Sequence, residues 1–175
     1  MARGPNDGIP PETVSTAWGE GAVSESGKQM FKNILIPTDG SELSQRAVRM
    51  AVTLAKLHRA RITGIHVIPD YHLLIAYEGA FDPVTEERIE EEAKVRAESY
   101  LAYVRKSAED EGVPCDTLCE TSDHPYDAIL KAADTRQCDL IVMTSHGRKG
   151  LAAVLLGSET RKVLTHTRIP VLVVR

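Results

Sequence analysis

From Phe31 onward, short apolar runs alternate with longer amphipathic ones. "NILIP" (33–37) is a compact apolar run that ends at a proline and turn residues, and "SELSQRAVRMAVTLAKLH" (41–58) then places Ala47, Ala51, Leu54 and Ala55 on one helical stripe. The pair predicts a strand followed by a helix. "RITGIHVIP" (61–69) reads as a second strand, and "VTEERIEEEAKVRAESYLAYVRKSAEDEG" (84–112) as a long helix with Ile89, Ala93, Tyr100 and Val104 on its apolar side. "DTLCE" (116–120) predicts a third strand, "PYDAILKAADTRQ" (125–137) a helix, "DLIVMTS" (139–145) a fourth strand, "SETRKVLTHT" (158–167) a last helix and "PVLVVR" (170–175) a fifth strand.

Strands and helices alternating at these lengths imply right-handed crossovers onto one sheet. The expected class is α/β: an open, Rossmann-like sheet of five parallel strands with helices on both faces. The apolar runs of the first, fourth and fifth strands fit central strands covered on both faces. Open sheets of this kind bind ligands beyond the carboxyl ends of their strands, where the winding reverses. The segments after Ile36, Val67, Glu120 and Thr144 are therefore the places to look. Residues 70–83, "DYHLLIAYEGAFDP", form a long connection that either covers a pocket mouth or is mobile.

Residues 1–30 are rich in Gly, Pro, Ser and Thr and show neither period, so they predict a disordered extension ahead of a domain at 31–175. Trp18 is the residue there with a capacity to dock. Lys and Arg number 21 against 25 Asp and Glu, a net charge of −4, which gives no general attraction to nucleic acid or to acidic lipid. Cys115, Cys119 and Cys138 are odd in number, and no second pair completes a zinc site, so they read as reduced thiols of a cytosolic protein. No apolar run approaches the roughly 18 residues that span a bilayer, and the N-terminus lacks the apolar core of a secretory signal. These observations point to the cytoplasm and away from membranes.

After the first strand comes "PTDGSE". Pro37 ends the strand, Asp39-Gly40 makes a tight turn and Ser41 can cap the helix, which explains the stretch without any ligand. Asp39 nevertheless lies at a strand's carboxyl end, where a carboxylate can accept from ribose hydroxyls or hold a divalent cation beside phosphates. After the fourth strand comes "TSHGRKGLAAVLLGSET" (144–160). Gly147 and Gly150 let the backbone turn tightly and bring its N–H groups close to a ligand. Gly157-Ser158 then opens a helix whose free amides and positive dipole end suit a phosphate. A flexible loop followed by a Ser158 N-cap accounts for the same residues. The segment is neither a Walker loop nor a dinucleotide fingerprint. His66 and His146 read as packed or solvated residues, and no Ser-His-Asp arrangement is defined.

The segments "NILIPTDGS", "IHVI", "DLIVMTSHGRKGLAAVLLGSETRKVL" and "IPVLVVR" together resemble the universal stress protein family over about residues 31–175. In that family's nucleotide-binding branch the loop reads Gly, two residues, Gly, nine residues, Gly, then Ser or Thr. Gly147, the nine residues 148–156 and Gly157-Ser158 match it, while Thr144 replaces the first glycine. That departure bears on affinity more than on the existence of the site. The resemblance implies an adenine nucleotide alpha hydrolase-like fold that holds ATP or AMP, with Mg2+ or Mn2+ as an accompanying ion at Asp39. It implies that Asp39 contacts the ribose or metal, that Val67 flanks adenine by its backbone, and that Gly147, Gly157 and Ser158 cradle phosphates. Pro37, Thr38, Met143, Thr144, His146, Gly150 and Glu159 complete the implied site. It also implies a homodimer through strand 170–175, which would cover an apolar edge.

The expected function is that of a cytosolic, dimeric regulator in the stress response, controlled by bound nucleotide, with weak ATP hydrolysis at most. Two alternatives stand beside it. A slow ATPase or nucleotidyl-transfer enzyme is one, since related folds adenylate substrates, although no base is evident. A dimeric interaction module without nucleotide is the other, favoured by Thr144 and opposed by Gly157-Ser158.

Overall fold

A computed structural model of the protein describes residues 29–70, 83–147 and 156–175. Residues 1–28 of the predicted disordered extension, Trp18 among them, residues 71–82 of the long connection, and Gly150 lie outside the described residues. Among the described residues, five strands alternate with four helices: β1 (Asn33–Pro37), α1 (Glu42–His58), β2 (Arg61–Ile68), α2 (Pro83–Asp110), β3 (Cys115–Thr121), α3 (Pro125–Thr135), β4 (Leu140–Thr144), α4 (Ser158–His166) and β5 (Val171–Val174). All strand pairs are parallel and the spatial order is β3-β2-β1-β4-β5. The chain therefore winds outward from β1 to β3, crosses back past β1, and winds the other way through β4 and β5.

Side-chain alternation along the central strands builds two apolar layers. Ile34 and Ile36 of β1, with Leu140 and Val142 of β4, pack against Ala47, Val48 and Ala51 of α1 and Val104 and Ala108 of α2. Leu35, Ile65, Ile141 and Met143 point to the opposite face, against Ile129 and Ala132 of α3 and Val163 of α4. The predicted stripe on α1 is the buried one, apart from Leu54, which is half-buried at its border. On α2, Ala93 and Val104 are buried as expected, joined by Ala97, Leu101 and Ala108, whereas Ile89 and Tyr100 are half-buried. Tyr100 is turned instead onto His66 in an edge-on arrangement, the two ring centroids 5.2 Å apart.

The expectation that the fifth strand is central is corrected by the strand order. β5 is an edge strand whose residues are half-buried or exposed, with Leu172 37% exposed. β2 holds the interior position instead, between β1 and β3. Polar residues had hidden its centrality, but their hydrogen bonds are met inside the sheet, so they do not oppose burial. Thr63 donates to Asn33 Oδ1 at 3.0 Å, and His66 Nδ1 lies 2.7 Å from the Thr38 carbonyl.

The two ends of the sheet differ. At the amino end, the Asp139 carboxylate accepts from the amides of Lys32 (2.8 Å) and Asn33 (3.1 Å), and Asn33 Nδ2 donates to the Arg136 carbonyl at 2.8 Å. That end is closed by its own side chains. At the carboxyl end the described residues line a cavity instead.

Candidate functional site

Because the winding reverses between β1 and β4, the helices that follow these strands leave toward opposite faces and open a crevice above them. A cavity of about 490 Å³ occupies it, walled by the β1 turn, the ends of β2 and β4, and the starts of α3 and α4.

The β1 wall is a tightly bonded turn. Asp39 Oδ1 accepts from the Ser41 amide at 3.0 Å and from its hydroxyl at 2.6 Å, and the Thr38 hydroxyl accepts from the Gly40 amide at 3.2 Å. Gly40 has φ +74°, and a Cβ there would lie 2.2 Å from the Tyr100 ring, so only glycine fits. Ser41 caps α1 as expected, its hydroxyl accepting from the Ser44 amide at 3.2 Å.

The β4 wall is built differently. Gly147 sits so near the β1 turn that a Cβ on it would lie 2.8 Å from Asp39 Oδ2. Gly157 donates to the Ser145 carbonyl at 2.7 Å, and a Cβ on it would meet His146 Cα at 3.2 Å. Gly157 is itself the N-cap of α4, and among the described residues no side chain caps that helix start. The alternative reading of Ser158 as an N-cap is thereby corrected: Ser158 is the first helical residue, one position too late to cap. The first turn of α4 lines the cavity, and among the described residues no side chain accepts from its first amides, where the dipole's positive end lies.

Pro37, Thr38, Asp39, Val67, Met143, Thr144, His146, Gly147, Gly157, Ser158 and Glu159 all line this one cavity. Gly150 lies outside the described residues. Sequence reasoning missed six lining residues: Ser44, Ile65, His66, Pro125, Ile129 and Thr160. Ile65 and His66 precede Val67 on the β2 end already singled out, so the strand assignment was a signal for them. Ser44 lies one turn into α1, its hydroxyl 3.1 Å from that of Thr38. Pro125 and Ile129 belong to the helix that follows the β3 end, a segment singled out in the sequence, but no residue pattern marked these two, and the packing of α3 beside α4 brings them to the cavity.

Glu159 has a role that its position in the chain does not suggest. Its carboxylate turns away from its own helix start, accepts from the Tyr126 amide of α3 at 2.9 Å and pairs with Lys162 at 2.8 Å. It therefore straps the start of α3 to the first turn of α4, and Lys162 also lies 5.1 Å over the Tyr126 ring. Among the described residues no group of three His, Cys, Asp or Glu side chains is arranged to hold a metal ion. The cysteines are all free thiols away from the cavity. Burial pushes Cys115 and Cys138 up to about 11 and raises Cys119 as well, which keeps them protonated and weakly nucleophilic near neutral pH. No helix among the described residues is long and apolar enough to cross a membrane.

Residues 30–175 match the model of the universal stress protein family. This chain belongs to that family. A universal stress protein of Methanocaldococcus jannaschii is 34% identical over 155 residues, covering 88% of each chain. The solved structure of a second M. jannaschii universal stress protein is 32% identical and superposes with a TM-score of 0.66 over 83% of this chain and 96% of that one. A universal stress protein from Archaeoglobus fulgidus, solved in complex with dAMP, shares the fold at 20% identity and a TM-score of 0.61, over 82% of this chain and 98% of that one.

Proposed function

We propose that this universal stress protein binds an adenine nucleotide, ATP or AMP, in the cavity above β1 and β4, and that it acts as a nucleotide-dependent regulator rather than as an enzyme. The observation that carries this reading is the paired glycine approach. Gly147 and Gly157 each stand where a Cβ would press on Asp39 Oδ2 or on the His146 backbone, beside an uncapped helix start. Such a cradle suits a phosphate held by backbone amides. Ile65, Val67, Ile129 and Met143 give the same cavity an apolar wall for a base. The A. fulgidus protein with dAMP shares the fold; the support in this chain is its own cavity. An accompanying Mg2+ or Mn2+ would take one oxygen from Asp39 and the rest from phosphates and water.

The reading extends to assembly and place. β5 leaves one edge without a partner strand among the described residues and exposes Leu172 on it, so a second copy of the chain pairing along β5 would cover this edge in a cytoplasmic homodimer. Mass spectrometry of nucleotide released on denaturing the purified protein, with calorimetric titration by ATP and AMP, tests the central claim. Released adenine nucleotide, or saturable binding of either, is expected. No release and no binding at millimolar concentration would overturn it in favour of an interaction module without nucleotide.

A further inference from the structure

Thr144 stands where the family's loop pattern has its first glycine, and the structure gives its side chain a definite setting. It ends β4, is half-buried and lines the cavity. Its carbonyl accepts from the Thr160 hydroxyl at 2.8 Å, which ties its backbone to the first turn of α4. Its own hydroxyl makes no hydrogen bond to another described residue. Along β4, Leu140 and Val142 face the α1 and α2 layer while Ile141 and Met143 face the other, so alternation turns Thr144 to the α1 side. Thr38 is on that side too, bonded to Ser44 of α1. The β1–β4 register pairs Ile34 with Leu140, and continued along both strands it sets Thr144 level with Thr38, beside the Asp39 turn.

A ligand whose base rests on the β2 end and whose phosphate meets the α4 start must lay its sugar across the ends of β1 and β4, over Asp39 and Thr144. Resting on the nucleotide reading above, we infer that Thr144 is a specificity-determining residue, its hydroxyl bonding a ribose hydroxyl so that the site selects ribonucleotides over deoxyribonucleotides. The glycine of the family pattern has no group to do this. A hydroxyl placed to bond a substrate hydroxyl discriminates against analogues lacking it, because the site's polar group is then left without a partner.

The test is calorimetric titration of wild type, Thr144→Val and Thr144→Ser with AMP, 2′-deoxy-AMP and 3′-deoxy-AMP, with thermal melts of all three proteins. Wild type should prefer AMP to at least one deoxy analogue by about tenfold. The near-isosteric Thr144→Val should melt within a few degrees of wild type and narrow that preference at least about threefold, while Thr144→Ser restores it. The inference is overturned, with the nucleotide reading intact, if wild type binds AMP and both deoxy analogues alike, or if Thr144→Val weakens all three equally or leaves the preference unchanged. Failure of wild type to bind AMP or ATP would overturn both.

Discussion

Two helices start at the carboxyl ends of adjacent strands, α1 after β1 and α4 after β4, and they are finished in opposite ways. At α1 the turn satisfies itself: Ser41 caps the helix, Asp39 takes both the amide and hydroxyl of Ser41, and Glu42 adds negative charge to the first turn. At α4 the cap position is Gly157, the hydroxyl arrives one residue late as Ser158, and the acid of the first turn, Glu159, is committed to α3. One helix start is thus closed by its own side chains, while the other has a glycine cap and, among the described residues, no side-chain cap. A one-residue shift of serine relative to the helix start makes the difference.

This contrast predicts that equivalent substitutions damage stability at one corner and ligand binding at the other. The largest effect should come from Gly40→Val. Positive φ and the Tyr100 ring both oppose a side chain there, for a loss on the order of 3 kcal/mol and a Tm lowered by roughly 10 °C. A melt within two degrees of wild type would mean that the β1 corner is not rigid.

Gly157→Val at the other corner should cost less stability than Gly40→Val, because Gly157 has an ordinary φ of −56° and its Cβ would meet the His146 backbone at 3.2 Å rather than a ring at 2.2 Å. It should weaken ATP binding at least tenfold, or roughly 1.4 kcal/mol. Titration showing unchanged affinity would remove the phosphate cradle from α4.

The serines sharpen the comparison at smaller scale. Ser41→Ala should cost about 1 kcal/mol in urea unfolding through loss of the cap, whereas Ser158→Ala should stay within about 0.5 kcal/mol and weaken nucleotide binding a few-fold. Equal stability losses would show that Ser158 caps α4 in solution.

The smallest signal expected is catalytic. Phosphoryl transfer needs an oriented nucleophile as well as held phosphate, yet Asp39 is bonded to Ser41 and Glu159 is bonded to Tyr126 and Lys162. ATP turnover should therefore fall far below about 1 per second. Steady-state phosphate release at or above that rate, abolished by Asp39→Ala, would make this an ATPase.

The elements were legible because each follows from neighbours in the chain. The period of Ala47 and Ala51 and the compact "NILIP" run needed no long-range information. Sheet position was less legible: the uniform apolar run of β5 imitated a buried strand, while Thr63 and His66 disguised an interior one whose hydrogen bonds are met across strands. The site was legible where glycine and hydroxyl spacing carried it. The cavity lining was less legible at Pro125 and Ile129, which follow a strand end that had been singled out but carry no residue pattern of their own.

By itself the sequence determined where helices and strands begin, that Asp39-Gly40 turns the chain after the first strand, and that Gly157-Ser158 opens the last helix. These depend on local dihedral preference, periodicity and capping, which act over a few residues. Only the tertiary structure decided that β1 and β4 lie side by side, that α3 leans on α4 through Glu159, that Gly147 closes on Asp39, and that β5 is an edge. The cavity exists because residues more than a hundred positions apart, such as Asp39 and Gly147, are brought together by burial of two apolar layers. No local pattern encodes that closeness.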